Sequence, residues 1–182
     1  MEIQGINSTP NPSAIILVVG SVLTKKFESK EFQSVKNEHP HFANEILEFK
    51  EIDSVMIQEN QITLKLKDLD WENQTQLLKE VAKPVRDHSP AVIEDNNNLE
   101  EINPKLELVK EVLEEEILPY LKSHGGDISI IELNEEDELF IEYKGACGGC
   151  PAAFSGTLKA IQGLLQKEVD SNISVKLKEF PF

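Results

Sequence analysis

The chain contains two cysteines, and both lie in one short stretch of sequence. Cys147 and Cys150 occur within "YKGACGGCPAAF", where only Gly148 and Gly149 separate them. Two thiols at this spacing can reach one metal centre from a single loop, and thiolates are the soft ligands that zinc and iron–sulfur clusters bind. A pair at this spacing can also act as a redox dithiol. Three uses therefore remain open: a cluster or metal site, thiol–disulfide chemistry, or a structural pair.

The two thiols supply only half of a four-thiolate site. A second copy of the same chain across a two-fold axis is the simplest source of the other half. The glycines between the thiols carry no side chain and leave backbone amides free to approach an inorganic core. We expect Pro151 to begin the following helix, which would place Cys150 near a helix N-terminus that favours its thiolate form.

Composition excludes several classes of protein. No run approaches the length of apolar sequence that a membrane span needs, and two close cysteines do not form a secreted disulfide framework, so we expect a cytoplasmic protein that does not bind membranes. The net charge is −15, and no cluster of Lys and Arg is present to hold a phosphate backbone, which argues against nucleic-acid binding. We find no catalytic constellation and predict that the chain is not an enzyme.

The elements that must position the cysteines can be predicted from periodicity. A helix should begin at Asn103-Pro104 and end at the glycines of "SHGG", with Pro119 near its end. Two strands, "DISIIEL" and "ELFIEYK", follow it and are joined by "NEED". After the cysteines, a second helix carries Phe154, Leu158, Ile161, Leu165 and Val169 on one face, and "NISVKLK" closes the domain as a strand. The predicted order is helix, strand, strand, helix, strand.

The N-terminal part is predicted to be a separate small domain. It should contain a strand at Ile15–Val19, a short helix in "HPHFANEILEF" and a hairpin that turns at Glu59-Asn60. A further helix should run from Trp71 to about Arg86, kinked or ended by Pro84. The asparagine-rich, acidic segment 89–103 has the composition of a linker. We therefore predict an α+β protein of two small two-layer domains, 1–88 and 104–182.

Other side chains with chemical potential have simpler explanations. His39 and His41 flank a proline at a predicted helix start, and no cysteine or carboxylate spacing supports a metal pair there. His124 is expected at a helix end, and Asp127 is expected to cap the turn that follows. Phe42 and Trp71 are predicted to lie in the core of the first domain.

Two motifs give the chain a family resemblance. The segment Val112–Leu165, with "PYLKSHGGD" and "GACGGCP" in that order around a predicted hairpin, resembles the C-terminal domain of NifU, the Nfu family of iron–sulfur scaffold and carrier proteins. The stretches "STPNPSAIIL" and "EIDSVMIQENQITLKLKDLDW" are similar to the domain that precedes this unit in many Nfu proteins.

The resemblance implies a homodimer that binds one [4Fe–4S] or [2Fe–2S] cluster through Cys147 and Cys150 of each subunit. It also implies an upstream assembly scaffold as donor and apo-proteins as recipients. Two departures from the family pattern are present: Ala152-Ala153 stands where Ser-Ser is usual, and Thr157-Leu158 falls one residue later. Neither departure touches a predicted ligand.

Overall fold

The computed structural model of the chain describes residues 1–25, 28–68, 70–89, 92–93, 103–150 and 156–178. The chain divides into two compact units, Met1–Asp95 and Asn96–Phe182. Each unit pairs a sheet with helices around its own apolar core, which confirms the predicted α+β class. The domain limits 1–88 and 104–182 stay predictions. In the described part of the chain no helix has the length and apolar character needed to cross a membrane.

The N-terminal unit is an antiparallel sheet covered by two helices. Its strands are β1 (Ile3–Ser8), β2 (Ala14–Val19), β3 (Ser29–Phe32), β4 (Ile52–Gln58) and β5 (Gln61–Leu66). They lie in the order β1-β2-β5-β4-β3. The helices are α1 (His41–Leu47) and α2 (Thr75–Asp87), with a short 3-10 helix at Trp71–Asn73. Phe42 of α1 and Val85 of α2 pack in one core with Leu17 and Leu64 of the sheet.

The predicted strand, hairpin and last helix of this unit are all present. The β2 strand and the hairpin of β4 and β5 are present, and Glu59 at the hairpin turn has a left-handed φ of 50°. Helix α2 continues through Pro84 to Asp87, which agrees with the predicted limit near Arg86 and excludes only the alternative that Pro84 ends the helix. Proline removes only one backbone donor, and here it stands close to the helix end with its ring buried in the core, so the packing of the last turn outweighs the lost hydrogen bond.

The strands β1 and β3 are not found from the sequence. Both lie at the edges of the sheet, so neither needs the apolar alternation that marks a strand buried between neighbours. Their sequences, "IQGINS" and "SKEF", contain mostly polar or charged residues and no alternating apolar pattern.

The C-terminal unit carries the cysteines. Its elements are α3 (Pro104–Glu116), α4 (Leu118–Ser123), β6 (Gly126–Leu133), β7 (Glu138–Gly145), α5 (Leu158–Glu168) and β8 (Ser174–Leu177). The sheet order is β6-β7-β8, in which β6 and β7 form an antiparallel hairpin and β8 runs parallel to β7. Helix α5 lies in the crossover between the parallel strands, as such a connection requires.

The predicted order of elements in this unit is confirmed, with one correction. The first helix is split at Ile117 into α3 and α4, and Pro119 lies in the first turn of α4 rather than near the end of one long helix. A proline in the middle of a helix lacks the amide donor and crowds the preceding turn, so the break occurs just before it. The first turn of a new helix tolerates proline because its amides are unbonded there.

The start of α3 is fixed by side chains. The Asn103 side chain accepts hydrogen bonds from the amides of Lys105 and Leu106, as the predicted N-cap requires. The Lys105 ammonium donates to Asp137 in the β6–β7 turn and to Asp170 after α5. These hydrogen bonds raise the pKa of Lys105 and hold the pKa of Asp170 below its ordinary value. These two ion pairs connect the start of α3 to the β6–β7 turn and to the segment that follows α5.

We expect Asn103→Ala to destabilise the C-terminal unit by about 1 kcal/mol, because two helix amides lose their acceptor. Asn103→Asp, which keeps an acceptor oxygen, is the matched control. Urea unfolding followed by circular dichroism should show the loss. Fluorescence of Trp71, the chain's one tryptophan, reports on the N-terminal unit and should not change. An equal effect of both substitutions would contradict the role of the cap.

Candidate metal centre

The cysteine loop leaves β7 in consecutive tight turns. The amide of Cys147 donates to the Lys144 carbonyl at 3.3 Å, and the amide of Cys150 donates to the Cys147 carbonyl at 3.2 Å. Gly145 and Gly149 have φ values of 57° and 90°, a backbone region that residues with a Cβ rarely adopt. The glycines therefore permit a path that brings both thiols back toward the same end of the sheet.

A pair of glycines at the start of β6 supports this loop. Gly125 has a φ of 69° after α4, and its carbonyl accepts a hydrogen bond from the Ala146 amide at 3.0 Å. Gly126 touches Cys147 directly: a Cβ added to Gly126 would lie 2.2 Å from the Cys147 Sγ and 3.1 Å from the Cys147 backbone nitrogen. The "SHGGD" and "GACGGC" motifs are therefore two halves of one packed site.

Both thiols are reduced and largely buried. Cys147 is 6% exposed and Cys150 is 8% exposed, and both belong to the apolar core of the C-terminal unit with Ile128 and Tyr143. Burial, with smaller contributions from the charges of Cys150 and Asp127, raises the pKa of Cys147 to about 12. Burial and the neighbouring Cys147 raise the pKa of Tyr143 to about 12 as well. In the apo protein Cys147 is therefore a neutral thiol at physiological pH.

The predicted helix start after the cysteines cannot be compared with the structure. Pro151 and Phe154 lie outside the described residues, and the described part of helix α5 begins at Leu158. The effect of a helix N-terminus on Cys150 stays a prediction. The face formed by Leu158, Ile161, Leu165 and Val169 does pack into the core, as predicted.

The histidines do not form a metal site with the cysteines in the described part of the chain. The His39 ring packs on Phe32 with 4.6 Å between centroids, and His41 pairs with Glu45 on α1. His124 ends α4, as expected, and packs edge-on against Tyr120. Among the residues that the structure describes, no group of three or more His, Cys, Asp or Glu could hold a metal ion.

Three further predictions can be compared with the structure. Phe42 and Trp71 are core residues, as predicted, and the Trp71 indole donates to the Leu64 carbonyl at 3.3 Å. Asp127 does not cap a turn after Gly125-Gly126, because β6 already begins at Gly126; it is 3% exposed, and its carboxylate accepts from the Ile128 amide. Periodicity did not reveal that Gly126 contacts Cys147, because the contact joins two segments that are distant in sequence.

The donor set fits a thiophilic metal centre of which this chain supplies half. Two thiols lie in one loop, and the two glycines between them carry no side chain. The fold and this loop define the chain as an α+β protein with a C-x-x-C motif at the end of a hairpin.

Comparison with known proteins identifies both units. A model of the NifU-like domain matches residues 109–176, and a model of the N-terminal domain of the scaffold protein Nfu/NifU matches residues 3–89. Together they account for most of the chain, which belongs to the Nfu/NifU-like family.

Relatives are found among curated proteins. The Fe/S biogenesis protein NfuA of Psychromonas ingrahamii is 35% identical over 36% of this chain and 42% of its own length. The nitrogen fixation protein NifU of Anabaena sp. (strain L31) is 34% identical over 40% of this chain and 63% of its own length. Each match thus spans less than two thirds of the relative. A Staphylococcus aureus protein of known crystal structure is 23% identical and covers 46% of this chain and all of its own, with a TM-score of 0.41.

Gly126→Ala should displace Cys147, since the new methyl group would overlap its sulfur. We expect a loss of stability of about 1–3 kcal/mol, the usual cost of overpacking, and faster reaction of the thiols with a disulfide reagent. Gly163→Ala is the matched control: a Cβ at this exposed position in α5 meets nothing within 4 Å, and alanine favours a helix. Unchanged stability and thiol reactivity in Gly126→Ala would contradict the packing.

Proposed function

We propose that this protein takes part in iron–sulfur cluster biogenesis by carrying a cluster between two copies of the chain. Cys147 and Cys150 of each copy would be the ligands, and the cluster would be [4Fe–4S] or, alternatively, [2Fe–2S]. The observation that carries the proposal is a loop that presents two thiols at the end of a hairpin, in a chain with no other cysteine. The cluster is cargo, received from an upstream assembly scaffold and passed to apo-proteins.

The site chemistry is consistent with a carrier. Iron–sulfur clusters are held by four thiolates in most proteins, so two copies of this loop complete a ligand set. A site shared between subunits can also be opened by parting them, which delivery requires. Sulfur bound to a metal ion is deprotonated even where burial opposes ionisation, because the ion is the largest local charge. Loading should therefore release the proton that Cys147 holds in the apo protein.

Redox chemistry of the dithiol is less well supported. The attacking species in thiol–disulfide exchange is the thiolate, and a pKa of about 12 leaves Cys147 almost entirely protonated at neutral pH. The loop also follows a hairpin strand, β7, and not the strand, motif and helix arrangement of a thioredoxin-like site. A zinc-bridged dimer would use the same four thiolates. Only experiment can therefore distinguish it from a cluster carrier.

The first test is anaerobic reconstitution of the full chain with iron and sulfide. We expect visible absorption, with about four iron and four sulfide per dimer if the [4Fe–4S] form is bound, and a dimer mass that appears together with the colour. A colourless protein that holds zinc tightly would support the structural dimer instead. An iron-free monomer with a reversible Cys147–Cys150 disulfide would overturn the proposal in favour of redox chemistry.

Cys147→Ser and Cys150→Ser should each abolish stable cluster binding, because one substitution removes two of the four ligands in a dimer. Serine is preferred to alanine here since both thiols are part of the core, so the loss of volume would itself destabilise the unit. Tyr143→Phe alters a buried neighbour of Cys147 without removing a ligand and should still bind cluster. A full cluster in either serine variant would rule out the bridged site.

A further inference from the structure

A groove lies between helices α1 and α2 of the N-terminal unit. Its volume is about 400 Å³, near the lower end of the usual range for binding pockets, so it has room for a few side chains of a partner. Phe49, which is half-buried, and Pro84, which is buried, form the apolar part of its lining. The proposed cluster chemistry does not use this groove, because both cysteines of the chain are in the other unit.

The rest of the lining is mostly acidic. It consists of one ammonium group and four carboxylates, which belong to Lys83, Glu45, Glu48, Glu80 and Asp87. Glu48 and Asp87 are exposed, and within the described ranges neither of them forms an ion pair. Lys83 is exposed as well and forms no ion pair with a described residue. The groove therefore has an excess of negative charge, which one lysine does not balance.

These acidic residues also oppose the ordinary electrostatics of a helix end. The last carbonyls of a helix carry partial negative charge, which favours basic side chains in the last turn and disfavours carboxylates. Helix α1 has no basic residue in its last turn, where Glu45 stands, and Glu48 is its C-cap. Asp87 is the last residue of α2, and Arg86 of the same turn does not line the groove. A positively charged partner would relieve this repulsion.

The chemistry of the lining selects among possible occupants. Among the described residues no group of three or more His, Cys, Asp or Glu could hold a metal ion, which argues against a cation site here. A second copy of this chain has no cluster of Lys and Arg to place in the groove. A basic segment of another protein matches both parts of the lining, because Lys and Arg join an apolar stem to a cationic end.

We propose that this groove binds a short basic segment of another protein. An apolar side chain of that segment packs on Phe49 and Pro84, and the Lys or Arg side chains beside it lie against the carboxylates. Opposite charges across the contact favour basic partners over acidic ones and speed their association. The inference goes beyond the proposed cluster site and does not require it.

The test uses the full chain and three synthetic peptides, with binding followed by the NMR shifts of backbone amides. The probe is acetyl-KLKKLK-amide. We expect it to shift the amides of α1 and α2 around the groove, with a dissociation constant that rises several-fold when salt is added. Acetyl-ELEELE-amide reverses the charge and should not bind. Acetyl-KSKKSK-amide keeps the charge but lacks the apolar side chains, and it should bind several-fold more weakly.

The variant for this test combines Glu48→Gln with Asp87→Asn and removes two of the four carboxylates. We expect the dissociation constant of acetyl-KLKKLK-amide to rise several-fold. The midpoint of urea unfolding, read by Trp71 fluorescence, should stay the same or rise, because two unfavourable charges at helix ends are lost. Glu115→Gln with Glu116→Gln is the matched control, since it removes two exposed carboxylates from the end of α3 and should leave binding unchanged.

Several outcomes would overturn the inference. Absence of binding, or shifts spread over the acidic surface of both units, would show that the groove is not a docking site. Equal weakening in the two double variants would reduce the contact to general attraction by an acidic chain. A lower unfolding midpoint in the groove variant would assign its carboxylates a structural role instead. Failure of the chain to bind a cluster would overturn the proposed function and leave this inference standing.

Discussion

The site depends on the close contact between the backbone of Gly126 and the sulfur of Cys147. Hydrogen, the side chain of glycine, is the only one that fits, because even a methyl group would overlap the sulfur. The contact joins the first residue of β6 to the loop that leaves β7, so the two ends of the hairpin and the two thiols are fixed by one packing arrangement. The Gly125–Ala146 hydrogen bond adds a second tie across the same gap. Tight packing of this kind also explains why the thiols are buried although their loop lies at the end of a sheet.

Burial has opposite effects on the two tasks that the proposed carrier would perform, which are to keep its thiols reduced and to bind a cluster. It protects the thiols in the apo protein by keeping Cys147 protonated, since a neutral thiol is a poor nucleophile and is slow to oxidise. The same burial makes ionisation on loading more costly, and the metal must supply the compensating charge. Asp127 adds to this cost. Burial therefore keeps the thiols reduced at the expense of affinity for a metal, a balance that would suit the proposed carrier.

Much of this architecture could be predicted from the sequence, and the exceptions share physical causes. The order of elements around the cysteines follows from apolar periodicity and from an asparagine-proline helix start. The edge strands β1 and β3 were missed because their exposed edges need no apolar pattern. The break at Ile117 was missed because proline was assigned to the wrong end of a helix. The contact of Gly126 with Cys147 and the burial of Asp127 could not be predicted, because both depend on which distant segments the hairpin brings together.

The parallel pairing of β7 with β8 determines where the cysteines lie in the chain between these strands. Antiparallel neighbours need only a tight turn, but parallel strands need a crossover, and the cysteines lie at its beginning. One end of the loop is held by the β6–β7 register and the other by helix α5, which packs into the core through Ile161 and Leu165. Because β7 is the central strand of this sheet, a shift of β7 against its neighbours would carry both thiols with it.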